Sequence, residues 1–97
     1  MLTSKQRAFL SGLAAQLDPI IHVGKQGLEE GLINALDKAL EDHELVKVRF
    51  VDYKDDRKDI ALQLAEAVHA ELVRVIGHTA VMFRKSSTPD KQHISLP

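Results

Sequence analysis

Segments with two different apolar spacings alternate along this chain, and their order constrains its fold more than any other feature. Three segments repeat apolar residues at helical spacing, at about 4–17, 28–43 and 56–70. Four short β-rich runs occur at about 20–23, 44–51, 72–76 and 80–83. The order α-β-α-β-α-β-β predicts an α/β fold, a two-layer domain with a four-stranded mixed sheet. Each strand-helix-strand unit should make its two strands parallel, and the last two strands should form a hairpin.

Local signals support these elements. Thr3 and Gln6 have the spacing of a capping box, and Asp18-Pro19 should end the first helix. Apolar residues recur at helical spacing in the first helix, which is expected from about Ser4 to Leu17, and they are Phe9, Leu10, Leu13, Ala14 and Leu17. Alternation along 44–51 predicts that Val46, Val48 and Phe50 face the core, while Lys47 and Arg49 face outward.

Composition limits the kind of protein that this chain can be. With 97 residues, 44% of them hydrophobic, the chain can form one domain, which we expect over 1–85, followed by a loose polar tail over 86–97. Ile94 and Leu96 could dock the end of that tail. Because cysteine is absent, and because neither a signal peptide nor a membrane-spanning apolar run is recognisable, a cytoplasmic protein with no membrane partner is expected.

The charge is distributed unevenly along the chain. The formal net charge is −1, but residues 28–44 contain six acids against Lys38, a local net of −5, so the remainder has 12 bases against 8 acids and a net of +4. A polyanion responds to the local field more than to the total charge, so this distribution permits a nucleic-acid partner. The alternative is that these charges only solvate the surface.

The predicted topology brings several basic loops to one edge of the sheet. If the first three strands are parallel, the loops 24–27 and 52–57 and the hairpin turn 77–79 all follow strand ends at that edge. Helices two and three begin there, with free N–H groups and positive dipole ends. The basic side chains expected at this edge are Lys25, Lys54, Arg57, Lys58 and His78. Such an edge would bind anions, and cations spread over several loops suit a linear phosphate chain.

The loop Gly24-Lys25-Gln26-Gly27 lies at the centre of this prediction. Glycine lets the backbone approach a phosphate closely and tolerates positive φ angles, and Lys25 adds a charge. An ordinary strand-to-helix turn would also account for the two glycines. Likewise, Lys54, Arg57 and Lys58 could instead pair with nearby aspartates, and Tyr53 could either stack on an unpaired base or pack against the protein.

The sequence contains no arrangement that predicts catalysis or metal binding. The five histidines lie on different predicted elements without ligand spacing, and no cysteine is present. The serines of 86–87 have no organised histidine and carboxylate nearby, and no Walker or dinucleotide-binding motif occurs. We therefore expect no enzyme activity, no cofactor, no metal and no small-molecule substrate.

Three ordered blocks of this chain resemble the CRM domain, named for chloroplast RNA splicing and ribosome maturation. They are residues 21–28 (IHVGKQGL), 43–49 (HELVKVR) and 75–84 (VIGHTAVMFR), and the ending 94–97 (ISLP) is similar to that of the stand-alone bacterial YhbY-type proteins. The sequence departs from the family pattern at His78, where lysine is common, and at Phe83, where tyrosine is common. A histidine in place of lysine reduces the charge of the turn at neutral pH.

The resemblance implies a fold like the C-terminal domain of bacterial translation initiation factor three. It also implies RNA binding through residues 24–27 and association with precursors of the large ribosomal subunit. We expect a monomer that contacts ribosomal RNA. The rival hypothesis is a protein-interaction adaptor that uses the acidic helix 28–44 to bind a basic ribosomal or assembly protein.

Overall fold

The computed structural model describes residues 2–24, 28–51 and 57–97. Three α-helices, four β-strands and a 3-10 turn occur in these ranges. The helices are α1 (Ser4–Ala14), α2 (Glu30–His43) and α3 (Arg57–Ala67), and the strands are β1 (Ile21–Val23), β2 (Leu45–Phe50), β3 (Glu71–Ile76) and β4 (Thr79–Phe83). The 3-10 turn, Pro89–Lys91, lies in the C-terminal segment. The predicted order of elements is therefore confirmed.

The four strands form one mixed sheet in the order β1-β2-β4-β3. β1 is parallel to β2, whereas β4 is antiparallel to both β2 and β3. The first three strands consequently run in the same direction, as predicted, and the hairpin partner β4 lies between β2 and β3. A register shift between Leu72 and Arg74 interrupts the pairing of β3 with β4.

Helices cover both faces of the sheet, but unequally. α2 and α3 pack on one face around the main core, in which Val46, Val48 and Phe50 are buried as predicted. α1 packs on the other face, where Leu10 and Ala14 belong to a second, smaller cluster. The two-layer description therefore applies to the sheet with α2 and α3, and α1 adds a partial layer.

The structure confirms the start of the predicted first helix and corrects its end. α1 begins with the predicted capping box, in which the Gln6 amide donates to Thr3 Oγ1 (3.1 Å) and the Thr3 amide donates to Gln6 Oε1 (3.0 Å). The helix ends at Ala14 and not near Leu17. Of the predicted apolar face, Phe9, Leu13 and Leu17 stay 39–41% exposed. The short helix turns only its Leu10 and Ala14 side towards the sheet, so the adjacent stripe lacks a covering element.

The C-terminal segment is not loose, contrary to expectation. Ser86 is buried, and its amide donates to Glu44 Oε2 at 2.7 Å. Ile94 and Leu96 pack against the smaller cluster, so the expected docking of the chain end is confirmed. The segment is polar in sequence, but carboxylates of α2 and of the residue that follows it bind its backbone. The division of the chain into a domain 1–85 and a separable tail 86–97 stays a prediction.

Candidate nucleic-acid interface

The carboxyl-terminal ends of β1, β2 and β3 lie at the same end of the sheet, which we call the rim. The Val51 amide donates to the Val23 carbonyl (2.9 Å), which joins the ends of β1 and β2. The Phe50 amide donates to the His78 carbonyl (2.7 Å), which joins the end of β2 to the hairpin turn after β3. The rim therefore brings together three chain segments that are distant in sequence.

Four of the eight residues predicted to bind RNA lie in the described ranges, and all four follow strands that end at the rim. They are Gly24, Arg57, Lys58 and His78. The other four, Lys25, Gln26, Gly27 and Lys54, lie outside the described residues, as does Tyr53.

Arg57 and His78 contact each other across the rim, with Arg57 Nη1 3.0 Å from His78 Nδ1. A guanidinium only donates hydrogen bonds, so Nδ1 must accept, and the ring proton of a neutral His78 must lie on Nε2. Nε2–H then remains as a donor for a ligand. Lys58, the next residue of α3, is exposed and has no hydrogen bond or ion pair with the described part of the chain.

The two described glycines at the rim have different reasons to be glycine. Gly77 has φ +56, a conformation that side chains with a Cβ rarely adopt, so the hairpin turn requires it. Gly24 lies outside this left-handed region, and a Cβ added to it would meet no atom within 4 Å. The backbone conformation of Gly24 therefore does not require glycine, although a positive φ was one reason to expect it there.

The helix starts at the rim are less favourable to anions than the sequence suggested. α2 begins with Glu29 as its cap and Glu30 in its first turn, and Glu29 makes no side-chain capping hydrogen bond. α3 carries Asp59 in its first turn. These carboxylates already complement the positive dipole ends, so any attraction for an anion at the rim would come mainly from the cationic side chains.

The opposite end of the sheet, where β2 begins, differs from the rim because acidic residues there bind the C-terminal segment. The Glu44 side chain is fully buried and accepts hydrogen bonds from the amides of Ser86 (2.7 Å), His93 (2.8 Å) and Ile94 (3.2 Å). Burial opposes its charge, but these amides and the nearby His93 outweigh burial and lower the pKa of Glu44. Glu44 also has φ +64, a strained conformation for a residue with a Cβ.

Neighbouring carboxylates of α2 are held in the same way. Hydrogen bonds from the Ser87 side chain and backbone, and from Thr88 and Ser86, lower the pKa of Glu41 to about 2. A hydrogen bond from Lys91 lowers the pKa of Asp42, and the same contact raises the pKa of Lys91. We call this set of contacts between the end of α2 and residues 86–94 the clasp.

Arg84 joins the clasp to the body of the domain. Its Nη1 donates to Asp37 Oδ1 (2.6 Å) and to the Val68 carbonyl (2.7 Å). Four of the six acids in 28–44 therefore have internal partners, and these acids are Asp37, Glu41, Asp42 and Glu44. Glu29 and Glu30 at the start of α2 are exposed, and the adaptor hypothesis stays a prediction.

The structure also contains a mostly apolar groove of about 550 Å³ between α1, β2 and the C-terminal segment. Phe9, Leu13 and Leu17 line it, with Lys47 and His93 among its polar residues. Lys47 Nζ donates to the Leu17 carbonyl (3.0 Å), and His93 Nδ1 lies 3.0 Å from the Lys91 carbonyl. Lys47 thus contacts the protein's own backbone, and His93 Nδ1 also lies 3.5 Å from Glu44 Oε1, so both side chains have contacts within the protein.

Within 2–24, 28–51 and 57–97, no cluster of histidine, aspartate and glutamate side chains has the arrangement of a metal site. None of the helices in the same ranges is long and apolar enough to cross a membrane.

Sequence reasoning missed the clasp. Glu44 was assigned to the start of a strand, and its contacts with Ser86, His93 and Ile94 cross 42 to 50 residues of chain. The one available signal was the run of serine and threonine at 86–88, which carries several donors at a position predicted to be loose.

Comparisons with known proteins identify similar sequences and a similar fold. The family described as CRS1 / YhbY (CRM) domain matches residues 2–84. The chain is 38% identical to the probable RNA-binding protein YqeI of Bacillus subtilis, covering 100% of both chains. It is 35% identical to an RNA-binding protein of Haemophilus influenzae, covering 99% of this chain and 95% of that one. The solution structure of the hypothetical protein SAV1595 of Staphylococcus aureus is similar over 100% of both chains, with 43% identity and a TM-score of 0.85.

Proposed function

We propose that this chain, which belongs to the CRS1 / YhbY (CRM) domain family, binds RNA through the rim. The observation that supports this most is the meeting of Gly24, Arg57, Lys58 and His78 at one edge of the sheet. Lys25, Gln26, Gly27 and Lys54 complete the proposed contact set by their position in sequence. Relatives named as RNA-binding proteins support the same function.

The mechanism would be contact with phosphates through cations and backbone amides. Lys58 supplies an exposed ammonium, His78 a ring N–H, and Gly24 space for the approach of a sugar-phosphate backbone. Such contacts position a protein on RNA without selecting particular bases, so recognition would depend mainly on RNA shape. No catalytic step is needed, and the protein would act as a binding module and not as an enzyme.

The partner proposed here is ribosomal RNA, bound by a monomer in the cytoplasm during assembly of the large ribosomal subunit. This finer assignment depends on the resemblance described in the sequence analysis. Sedimentation of a cell lysate through a sucrose gradient tests it. Co-migration with large-subunit precursors is expected, and exclusive recovery at the top of a low-salt gradient would contradict it.

Binding by the rim is tested with Lys25→Ala and Lys58→Ala in fluorescence titrations over a range of salt concentrations. Each change should weaken binding and lower the slope of log affinity against log salt by about 0.7 to 0.9 per lost phosphate contact. Lys38→Ala is the matched control, because Lys38 is 81% exposed on α2 and outside the rim. Rim variants that retain the affinity and slope of the unchanged protein would contradict the proposed site.

A further inference from the structure

The face of the sheet that carries α1 is only half covered. Leu10 and Ala14 of α1 pack against the end of the sheet where β2 begins and β4 ends, with Leu45, Val81 and Phe83. α1 ends there, and a smaller cleft of about 260 Å³ opens between its last turn and residues of β2, β3 and β4. The half of this face nearer the rim, which we call the open face, has no covering helix among the described elements.

Two cross-strand rows of side chains form the open face. The first row follows the register His22–Arg49–Thr79–Ile76 across all four strands. The second row follows Lys47–Val81–Arg74 across β2, β4 and β3; Val81 in this row is buried against α1, so the row marks the boundary of the open face. Residues paired in register point to the same side of a sheet, so Lys47, Arg49 and Arg74 share this face with His22.

The cations of the open face differ in how they are held. Lys47 is partly buried, and its hydrogen bond to the Leu17 carbonyl gives it a structural role. Arg49 and Arg74 are exposed and make no hydrogen bond or ion pair with the described residues. The strands contain one acid, Glu71, which starts β3 and pairs with Phe83 at the far end of the sheet. The field over the open face is therefore positive without a nearby strand carboxylate to neutralise it.

The open face adjoins the rim directly. Arg49 precedes Phe50, whose amide donates to the His78 carbonyl, and Thr79 follows His78. A nucleic acid bound at His78 can therefore continue onto Thr79 and Arg49 without leaving the surface. β2 and β3 lie on either side of β4, and neighbouring strands are about 4.8 Å apart. The axes of the strands that carry Arg49 and Arg74 are therefore roughly 10 Å apart.

We propose that the open face is a second RNA-contact surface, which binds the sugar-phosphate backbone of a double-stranded RNA segment through Arg49 and Arg74. This inference rests on the proposed function and extends it from the rim to the sheet. The paired positions of the two rows carry basic, aliphatic, threonine and histidine side chains, with no phenylalanine, tyrosine or tryptophan. Sheets that bind unpaired RNA stack bases on such aromatic rings, whereas a duplex keeps its bases stacked inside and presents phosphates and 2′-hydroxyls.

The test compares two RNA probes by fluorescence anisotropy over a range of salt concentrations. One probe is a hairpin with about 16 base pairs, the span that shape-reading duplex-binding domains cover, and the other is an unpaired strand of the same length. The double variant Arg49→Ala/Arg74→Ala should bind the hairpin about tenfold more weakly, with a salt slope lower by about 1.4 to 1.8 for two lost contacts. The loss should be smaller for the unpaired strand.

Two further variants separate charge from folding. Arg49→Lys/Arg74→Lys keeps both charges and should keep most of the salt slope, while Lys38→Ala should change neither affinity nor slope. Circular dichroism checks that each variant is folded. If the lysine variant loses as much slope as the alanine variant, charge on the open face is not the cause and the proposal is overturned.

The remaining outcomes distinguish this proposal from the proposed function. If Lys25→Ala weakens hairpin binding while the double arginine variant leaves it unchanged, the open face is excluded and the rim stays. If the double variant loses more affinity for the unpaired strand than for the hairpin, the assignment to duplex RNA is wrong. Should the unchanged protein bind neither probe at low salt, the proposed function fails first.

Discussion

The clasp and the rim lie at opposite ends of one sheet, and their charged residues differ in whether they have partners within the protein. At the clasp, Glu41, Asp42 and Glu44 accept hydrogen bonds from the C-terminal segment, so their charges stabilise the fold. At the rim and the open face, Lys58, Arg49 and Arg74 are exposed without such partners among the described residues. Charged side chains with internal partners stabilise the fold, whereas those without such partners are available to contact a ligand. Substitutions at the two ends should therefore change different measurements.

The largest effect is expected from Glu44→Ala, which should lower the free energy of unfolding by about 3 kcal/mol. The substitution leaves the buried amide of Ser86 and the part-buried amides of His93 and Ile94 without their acceptor. A hydrogen bond to a charged group contributes about 1.5–3 kcal/mol, and water can replace part of the loss at the two part-buried amides. Urea unfolding followed by circular dichroism measures the loss. RNA affinity of the folded protein should stay unchanged.

Glu44→Gly is the matched control for the strained backbone at this position. It removes the same carboxylate but also relieves the positive φ, so it should be about 1 kcal/mol more stable than the alanine variant. If both variants were as stable as the unchanged protein, the clasp would contribute nothing, and the comparison between the two ends would fail.

Acid should weaken the clasp in the next largest effect. The folded-state pKa values of Glu41, Asp42 and Glu44 are lowered, so their contribution is complete above the ordinary carboxyl pKa and is lost as protons bind. Stability should therefore fall as the pH drops from about 4.5 towards about 2, the folded-state value of Glu41. A protonated carboxyl keeps an acceptor oxygen, so this loss should be smaller than that from Glu44→Ala.

Urea midpoints measured across this pH range check the prediction. Glu41→Gln/Glu44→Gln should flatten the profile, because the amides of glutamine do not titrate. A profile of the double variant that falls as steeply as that of the unchanged protein would assign the acid sensitivity to other groups.

Lys58→Glu should have the reverse signature of Glu44→Ala. It replaces an exposed rim cation with an anion, so the dissociation constant for RNA should rise about tenfold, or about 1.4 kcal/mol, with stability changed by no more than about 0.5 kcal/mol. Lys38→Glu is the control on α2. An equal loss of RNA affinity in both variants would mean that total charge, and not the rim, determines binding.

Gly24→Ala should have the smallest effect and separates backbone approach from fold. Since a Cβ at Gly24 meets no protein atom within 4 Å, stability should stay the same or rise by about 0.4–1 kcal/mol, whereas RNA affinity should fall a few-fold. Gly77→Ala should instead cost about 1–2 kcal/mol of stability, because its φ is +56. A Gly24→Ala variant with full RNA affinity would exclude close backbone approach at this residue.

The features that the sequence predicted correctly depend on local pattern or on the direction of strands. Thr3 and Gln6 define the start of α1 from a spacing of three residues, and alternation along β2 identified Val46, Val48 and Phe50 as core. The rule that a strand-helix-strand unit joins two parallel strands correctly predicts that the ends of β1, β2 and β3 lie at the same end of the sheet.

The features that the sequence did not predict depend on which distant partner a side chain finds. Helical spacing placed Leu10 and Leu13 on the same apolar face of the first helix. Only Leu10 packs against the sheet, since α1 is short and presents one narrow side. Nothing in the sequence distinguishes Glu44 from a surface acid. In the structure its carboxylate accepts hydrogen bonds from three amides of the C-terminal segment. Such contacts join residues far apart in the chain, so no local residue spacing predicts them.

The central claim is that RNA contacts the rim and the open face and leaves the clasp untouched. Titration of the isotope-labelled protein with the hairpin RNA, followed by amide chemical shifts in NMR, tests it residue by residue. We predict the largest changes at Gly24, Arg49, Lys58, Gly77 and His78, with Ser86, His93 and Ile94 unmoved. Changes concentrated at Ser86 to Ile94, with the rim amides unmoved, would contradict the account.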